Sequence, residues 1–182
     1  AVLKREFYTF VGGAEIPLCH GMTIGEIALF INEKENINCS LNIVEMEGWK
    51  REMTWSETGL PWVLPSPNMP SLSTAKVYPG MVLTEALNIS EGRGTTIPFE
   101  LFGAPFIDID VLLNELKKLK LPGCTFRKHN YIPTFHKFAH KYCHGLQIHI
   151  SDYGLFEPVY TAASIFKKIN GMGKLSFNDP PY

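Results

Sequence analysis

The stretch Asp108-Ile-Asp-Val-Leu-Leu-Asn-Glu-Leu-Lys-Lys-Leu119 carries the strongest secondary-structure signal in the chain. Asp108 is a favourable N-cap, because its carboxylate can accept hydrogen bonds from the free N–H groups of the first helical turn. Apolar and charged residues then alternate at helical spacing, which predicts an amphipathic α-helix that ends before Pro122-Gly123. The side chains expected to face the core are Val111, Leu112, Leu116 and Leu119.

The segments after this helix predict two strands and another helix. Cys124–Ile132 and Gly145–Ser151 are expected to be strands. Pro158–Asn170 is expected to be a helix, with Gly171 as its C-terminal stop.

The first half of the chain mixes helices and strands as well. Thr23-Ile-Gly-Glu26 is a capping box and predicts the start of a helix. Leu41–Met46 and Phe99–Phe102 are expected to be short strands, and Ser71–Leu87 to hold helical turns interrupted near Pro79-Gly80. The mixture predicts an α/β or α+β fold, with a mixed sheet flanked by helices.

Composition limits the class of protein. The chain has 182 residues, 45% of them hydrophobic and 19% charged, which is enough for a domain with a real core. The net charge of −1 gives no general attraction to nucleic acid, and no apolar run reaches the roughly 20 residues of a membrane span. The four cysteines form no Cys-x-x-Cys pair, so neither a zinc ribbon nor a dense disulfide scaffold is expected.

The loop Ser90-Glu-Gly-Arg-Gly-Thr-Thr96 places a carboxylate and a guanidinium in one glycine-rich turn. Glycine allows positive φ and close approach of a ligand to the backbone. Arg93 offers a planar set of donors for a carboxylate or phosphate, and Glu91 can bind hydroxyl groups or act as an acid or base. Two interpretations remain open, a solvated turn with a Glu–Arg pair and a site for an anion or a sugar.

Histidines suggest other candidate sites. His136, His140 and His144 recur every four residues, which on one helix would place three possible zinc ligands on one face. Gly145 and the strand after it argue that any helix ends before His144, and no cofactor is predicted. His20 precedes the capped helix, and Asn68 lies between two prolines that could preorganise its amide for a sugar.

Several longer motifs resemble those of the exo-β-N-acetylmuramidases of the NamZ type, also known as YbbC-like proteins. The resemblance covers nearly the whole chain. The matching motifs are His20–Glu26, Thr58–Val63, Pro65–Pro70, Tyr78–Gly80, Asn88, Ser90–Thr96, Pro98–Glu100, Gly103–Pro105, Gly145–His149 and Ser151-Asp152. The series of three histidines departs from the family pattern, which argues further against a metal site.

The resemblance implies a two-domain parent protein about twice as long. Residues 1–19 would be a lead-in from a Rossmann-like N-terminal domain that is otherwise absent, and residues 20–182 would be the C-terminal domain. The chain would be truncated at both ends, with the C-terminal cut at Pro180-Pro181-Tyr182. The family releases terminal N-acetylmuramic acid from the non-reducing end of peptidoglycan fragments, and its catalytic carboxylate would belong to the missing domain.

The resemblance also implies roles for individual residues. Arg93 would pair with the lactyl carboxylate of N-acetylmuramic acid, and Glu91 would bind hydroxyl groups or supply a second carboxylate. His20, Asn68 and Thr95 would line the substrate cleft. We expect the isolated fragment to be inactive and to need its missing domain or another subunit. A periplasmic or extracellular location is favoured and a cytoplasmic one stays open. The alternatives are a non-catalytic module that binds a sugar or a protein, and a histidine-based metal hydrolase.

Overall fold

Two compact units divide the chain, Ala1–Pro61 and Trp62–Tyr182. The computed structural model describes residues 2–10 and 12–178. The expected C-terminal cut at Pro180-Pro181-Tyr182 lies outside these described residues.

The first unit is built around one capped helix. Helix α1, Ile24–Lys34, begins at the expected capping box: the Glu26 N–H donates to the Thr23 hydroxyl, and the Thr23 N–H donates to the Glu26 carboxylate. Short 3-10 helices occupy Arg5–Phe7 and Trp55–Thr58. The strand predicted at Leu41–Met46 was wrong. These residues are exposed, and no described residue pairs with them, so their backbone has no ladder to join.

In the second unit, helix α2 spans Leu72–Met81 and continues into a 3-10 helix, Val82–Ala86. The interruption predicted near Pro79 therefore takes the form of a change from α-helix to 3-10 helix after Met81. Gly80 is needed there because a Cβ would overlap the carbonyl oxygen of Pro158, at the start of helix α4 (Pro158–Asn170). The prediction of α4 is confirmed.

The described residues of the second unit form a three-stranded antiparallel sheet. Its strands are β1, Leu101–Ala104, β2, Cys124–Lys128, and β3, His144–Ile150, in the order β1-β3-β2. Gly103 pairs with Gly145, and Phe126 pairs with Ile148. The predicted combination of helices and sheet is confirmed, and antiparallel pairing takes the place of the mixed sheet expected.

Helix α3, Ile109–Leu119, begins at Asp108, whose Oδ1 accepts hydrogen bonds from two N–H groups of the first turn at 3.1 Å. It ends at Lys120, which has a positive φ of 48°, two residues before the proline. Two of the expected core residues were wrong, since Val111 is 48% exposed and Leu119 is also exposed. The buried side chains of α3 are Leu112, Leu113 and Leu116.

One apolar core joins these helices to the sheet. The stretch after the 3-10 helix, including Leu87 and Ile89, also contributes to it. Its large, fully buried members include Met81, Ile89, Phe99, Phe102, Leu112, Leu116, Leu146, Ile148, Ile165 and Ile169. The loop 90–96 therefore begins at the edge of a rigid core, which fixes where its side chains lie.

Candidate functional site

The loop 90–96 is attached to the sheet at its first residue. Ser90 and Gly103 of β1 exchange two backbone hydrogen bonds, at 2.8 and 3.0 Å. Gly92 and Gly94 have φ values of 77° and 80°, so the left-handed backbone expected of these glycines is confirmed. A Cβ at Gly92 would lie 2.6 Å from the Leu101 carbonyl oxygen. The loop therefore packs too closely for side chains at its glycine positions.

A second loop, residues 133–141, packs against the first. Thr134 donates from both its backbone N–H and its hydroxyl to the Gly94 carbonyl oxygen, each at 3.0 Å. His136, Phe138 and His140 all have positive φ, between 55° and 67°. This backbone is rare for residues other than glycine and persists only where surrounding contacts hold it.

The possible histidine metal site is not formed. The segment holding His136 and His140 is an irregular loop, and His144 begins β3, so the three rings do not share a helical face. Left-handed residues at 136, 138 and 140 prevent a continuous helix there. Within the described residues, no three His, Cys, Asp or Glu side chains are grouped as metal ligands.

Glu91 is the centre of the contact between the two loops. Its side chain is 1% exposed, and both carboxylate oxygens are enclosed. Oε1 lies 2.8 Å from Nδ1 of His136 and 3.4 Å from Nε of Arg93, and Oε2 lies 3.3 Å from Nζ of Lys137. Neither oxygen accepts a well-aligned hydrogen bond from the described residues, so charge and proximity hold the carboxylate. A buried carboxylate requires such partners because desolvation of an unpaired charge is costly.

Lys137 connects Glu91 to the end of the 3-10 helix. Its ammonium donates to the carbonyl oxygens of Thr84, Leu87 and Ile89 at 2.6, 2.8 and 3.1 Å. Burial lowers the pKa of Lys137, while the negative charge of Glu91 acts in the opposite direction. The lysine thus binds one carbonyl within the 3-10 helix and two after it, and it balances a buried carboxylate.

Arg93 is a partly exposed member of this group of residues. Its Nη2 donates to Oε1 of Glu85 at 2.5 Å, and its guanidinium carbon lies 5.1 Å from the centre of the Phe99 ring. The side chain is 25% exposed. The two glutamates engage Nη2 and Nε, and a guanidinium carries five N–H donors, so it can serve a further acceptor.

We call these residues, Glu85, Glu91, Arg93, His136 and Lys137, the Glu91 cluster. Its fixed charges are two carboxylates and two cations, which balance without a charge on His136. Its most exposed side chains are those of His136, Glu85 and Arg93, at 41%, 31% and 25%. The cluster therefore presents an imidazole, a guanidinium and the Glu85 carboxylate at the surface, next to the enclosed carboxylate of Glu91.

The other predicted site residues lie in different places. The Thr95 hydroxyl donates to the Gly92 carbonyl oxygen at 2.6 Å and so closes the turn of the loop. Asn68 is half-buried, and its N–H donates to the Ser66 hydroxyl at 3.4 Å. No hydrogen bond or ion pair among residues 62–178 joins Asn68 to the Glu91 cluster. His20 belongs to the first unit, where its Nδ1 accepts from the Met22 N–H at 3.0 Å.

Sequence reasoning anticipated the pairing of Glu91 with Arg93 but missed the other members of the cluster. His136 was considered only as a metal ligand, and Lys137 and Glu85 were not considered. His136 is 45 positions from Glu91, and no periodic pattern connects the two loops. The unusual density of histidine and lysine between His136 and His144 was the available signal, and it indicated the wrong chemistry.

Comparison with known proteins supplies independent information. Residues 76–178 match the family model described as exo-β-N-acetylmuramidase NamZ, C-terminal, and residues 1–73 match the corresponding N-terminal model. The chain is 49% identical over 171 residues to peptidoglycan β-N-acetylmuramidase NamZ of Bacillus subtilis (strain 168), covering 94% of this chain and 41% of that protein.

Two solved structures from Bacteroides fragilis NCTC 9343, both described as DUF1343 family proteins, are similar to this chain. The first has a TM-score of 0.88 and 31% sequence identity, and the match covers 94% of this chain and 46% of the first protein's chain. The second has a TM-score of 0.62 and 26% sequence identity, and the match covers 92% of this chain and 42% of the second protein's chain. The chain thus spans less than half the length of the relatives it matches.

The family models and the compact structural units place the domain boundary at different residues. The two family models meet between residues 73 and 76, whereas the compact units divide at 61/62. The boundary expected at 19/20 stays a prediction. Across residues 2–10 and 12–178, no helix has the length and apolar character needed to cross a membrane.

Proposed function

The chain belongs to the NamZ exo-β-N-acetylmuramidase family, and from that premise we propose that the protein containing it is a peptidoglycan-degrading glycosidase. Its reaction would release terminal N-acetylmuramic acid from the non-reducing end of peptidoglycan fragments. The proposal extends the named activity of a relative to a chain that covers 41% of that relative's length.

We propose that residues 62–178 supply substrate-binding groups and that the catalytic carboxylate lies elsewhere in the parent protein. Hydrolysis of a glycosidic bond generally uses two carboxyl groups that flank the bond. Glu91 is enclosed by its partners, so its carboxylate does not reach solvent in this arrangement. The geometry favours an indirect role for Glu91, in which it holds Arg93 and His136 in place.

The observation that carries the proposal is the position of Arg93. N-acetylmuramic acid differs from N-acetylglucosamine by a lactyl ether that bears a carboxylate. A guanidinium binds a carboxylate through paired, charge-assisted hydrogen bonds, and Arg93 is oriented by two glutamates while keeping further N–H donors and partial exposure. We propose that it recognises the lactyl carboxylate. The binding roles expected of His20, Asn68 and Thr95 stay predictions.

The test uses the full-length protein and two chromogenic glycosides, one of N-acetylmuramic acid and one of N-acetylglucosamine. We expect the wild type to prefer the first. Arg93→Ala should lower kcat/KM for the muramic acid glycoside by about 10- to 100-fold, as expected for loss of a charge-assisted hydrogen bond. It should leave kcat/KM for the glucosamine glycoside nearly unchanged, because that substrate lacks the carboxylate.

Arg127→Ala is the matched control. Arg127 lies on β2 and donates to Gln147 at 2.8 Å, without contact to the Glu91 cluster among the described residues. Arg127→Ala should leave kcat/KM unchanged for both glycosides. Equal losses on both substrates in Arg93→Ala would assign Arg93 a structural role. A wild type that binds the saccharide without cleaving it would favour a non-catalytic binding module.

A further inference from the structure

The pair formed by His136 and Glu91 suggests a second recognition group. We infer that Glu91 orients His136 through Nδ1, so that Nε2 accepts a hydrogen bond from a hydroxyl group of the bound saccharide. The inference rests on the proposed function for the kind of ligand. It assigns His136 as a contact residue and Glu91 as the residue that positions it.

The distance between the two side chains fixes the position of the ring proton. Nδ1 of His136 lies 2.8 Å from Oε1 of Glu91. An unprotonated Nδ1 would place its lone pair against a carboxylate oxygen, so Nδ1 carries a proton, and a ring with its single proton there presents Nε2 as an acceptor. The contact is close but not aligned, and unliganded sites commonly hold such pairs out of alignment until the ligand binds.

Charge balance does not require His136. Arg93 and Lys137 already supply two cations against Glu85 and Glu91, and both lie within ion-pair distance of Glu91. A ring that served only to neutralise Glu91 would be better enclosed, yet the His136 side chain is 41% exposed. Part of the His136 side chain is therefore available to a ligand although Glu91 is not.

The loop around His136 is held in an unfavourable backbone conformation. Three of its residues, His136, Phe138 and His140, have positive φ. Its anchors are Thr134 on Gly94 and the three carbonyl contacts of Lys137. Residues held this way cluster at binding sites, where surrounding contacts fix the geometry in advance.

An exposed aromatic residue directly precedes the histidine in the chain. This residue is Phe135, whose exposed fraction is 52%. Binding sites for small molecules combine aromatic surface with a few well-placed polar groups. A saccharide has both apolar ring faces and hydroxyl groups, so it fits this combination.

The decisive variant is His136→Asn in the full-length protein. The Asn amide nitrogen can take the place of Nδ1 and still donate to Glu91, and Asn tolerates positive φ, but nothing replaces Nε2. A structural role for His136 would therefore survive the change. His140→Asn is the matched control, since His140 has the same kind of backbone in the same loop and no ion pair with Glu91 among the described residues.

Two readouts separate this inference from the proposed function. The first is the ring ¹⁵N spectrum of His136 as N-acetylmuramic acid is added, which requires no hydrolysis. We expect Nδ1 protonated before addition and a shift of the Nε2 resonance on binding. The second is kcat/KM on the muramic acid glycoside, expected to fall about 3- to 10-fold in His136→Asn and to stay unchanged in His140→Asn.

The outcomes are distinct. An Nε2 shift in a protein that cleaves no glycoside supports the contact and contradicts the proposed function. An active enzyme in which His136→Asn matches the wild type and Nε2 does not shift overturns the inference alone. A ring protonated at Nε2 instead of Nδ1 in the unliganded protein also overturns it. Glu91→Gln should reduce the fraction of rings with the proton on Nδ1, and an unchanged ratio would remove Glu91 as the positioning residue.

Discussion

Nη2 of Arg93 lies 2.5 Å from Oε1 of Glu85, which ties the loop 90–96 to the 3-10 helix that precedes it. The same guanidinium lies against the Phe99 ring and within 3.4 Å of Glu91. An arginine so constrained loses less freedom when a carboxylate binds than an arginine on a mobile side chain would. Under our proposal, the Glu91 cluster thus sets the position of the Arg93 guanidinium before the ligand arrives.

Lys137→Met should destabilise the protein. The change removes the donor to three carbonyls and one of the cations that balance Glu91, and loss of one partner from a buried ion pair typically costs about 3 kcal/mol or more. The free energy of unfolding, measured by urea denaturation, should fall by about that amount. Lys141→Met, at an exposed lysine of the same loop, should change it by less than about 0.5 kcal/mol. Similar losses in both variants would contradict the assigned role of Lys137.

Gly92→Ala should cost more stability than Gly173→Ala. Both glycines have φ near 75°, so each alanine has the left-handed penalty of roughly 1–2 kcal/mol. At Gly92 the added Cβ also meets the Leu101 carbonyl oxygen at 2.6 Å, whereas Gly173 has open space around it. We expect a difference of about 2 kcal/mol between the variants by thermal or urea unfolding. Equal costs would show that the loop 90–96 can move away from β1.

Glu115 should contribute a pH-dependent part of the stability. Hydrogen bonds from Lys118 and Lys168 lower the pKa of Glu115 from its ordinary value of 4.5 to about 2. Because the folded pKa is the lower one, the contribution is fully present above about pH 4.5 and is lost as the pH falls toward 2. The group faces solvent, so salt should weaken the effect.

The measurement for Glu115 is the difference in free energy of unfolding between the wild type and Glu115→Gln. It should be constant above pH 5 and shrink toward zero at about pH 2, following the two pKa values. A difference that is flat down to pH 2 would contradict the pairing of Glu115 with Lys168, which connects α3 to α4.

The elements predicted well from the sequence have local causes. Asp108 caps α3 through its own side chain, and the start and end of α4 are marked by Pro158 and Gly171. Leu41–Met46 failed because alternation alone does not form a strand without a partner. Val111 is exposed for a similar reason. Which side of a helix is buried depends on the elements packed against it, and the helix's own sequence does not specify them.

The candidate site was predictable only in part. The glycines of the loop 90–96 predicted positive φ. The pairing of Glu91 with Arg93 was also predictable, because the two residues are close in sequence. The meeting of Glu91 with His136 and Lys137 depends on how the loop 133–141 returns over Gly94, a contact that no local pattern encodes. The enclosure of Glu91 is likewise a property of packing, and our proposal therefore gives Glu91 a supporting role in place of direct contact with the ligand.

The most direct test of the central claim is a crystal structure of the full-length protein with N-acetylmuramic acid bound. We expect the lactyl carboxylate within hydrogen-bond distance of the Arg93 guanidinium, with Glu91 still enclosed beneath it. A sugar bound with its lactyl carboxylate on other residues, and Arg93 engaged only by Glu85 and Glu91, would contradict the account.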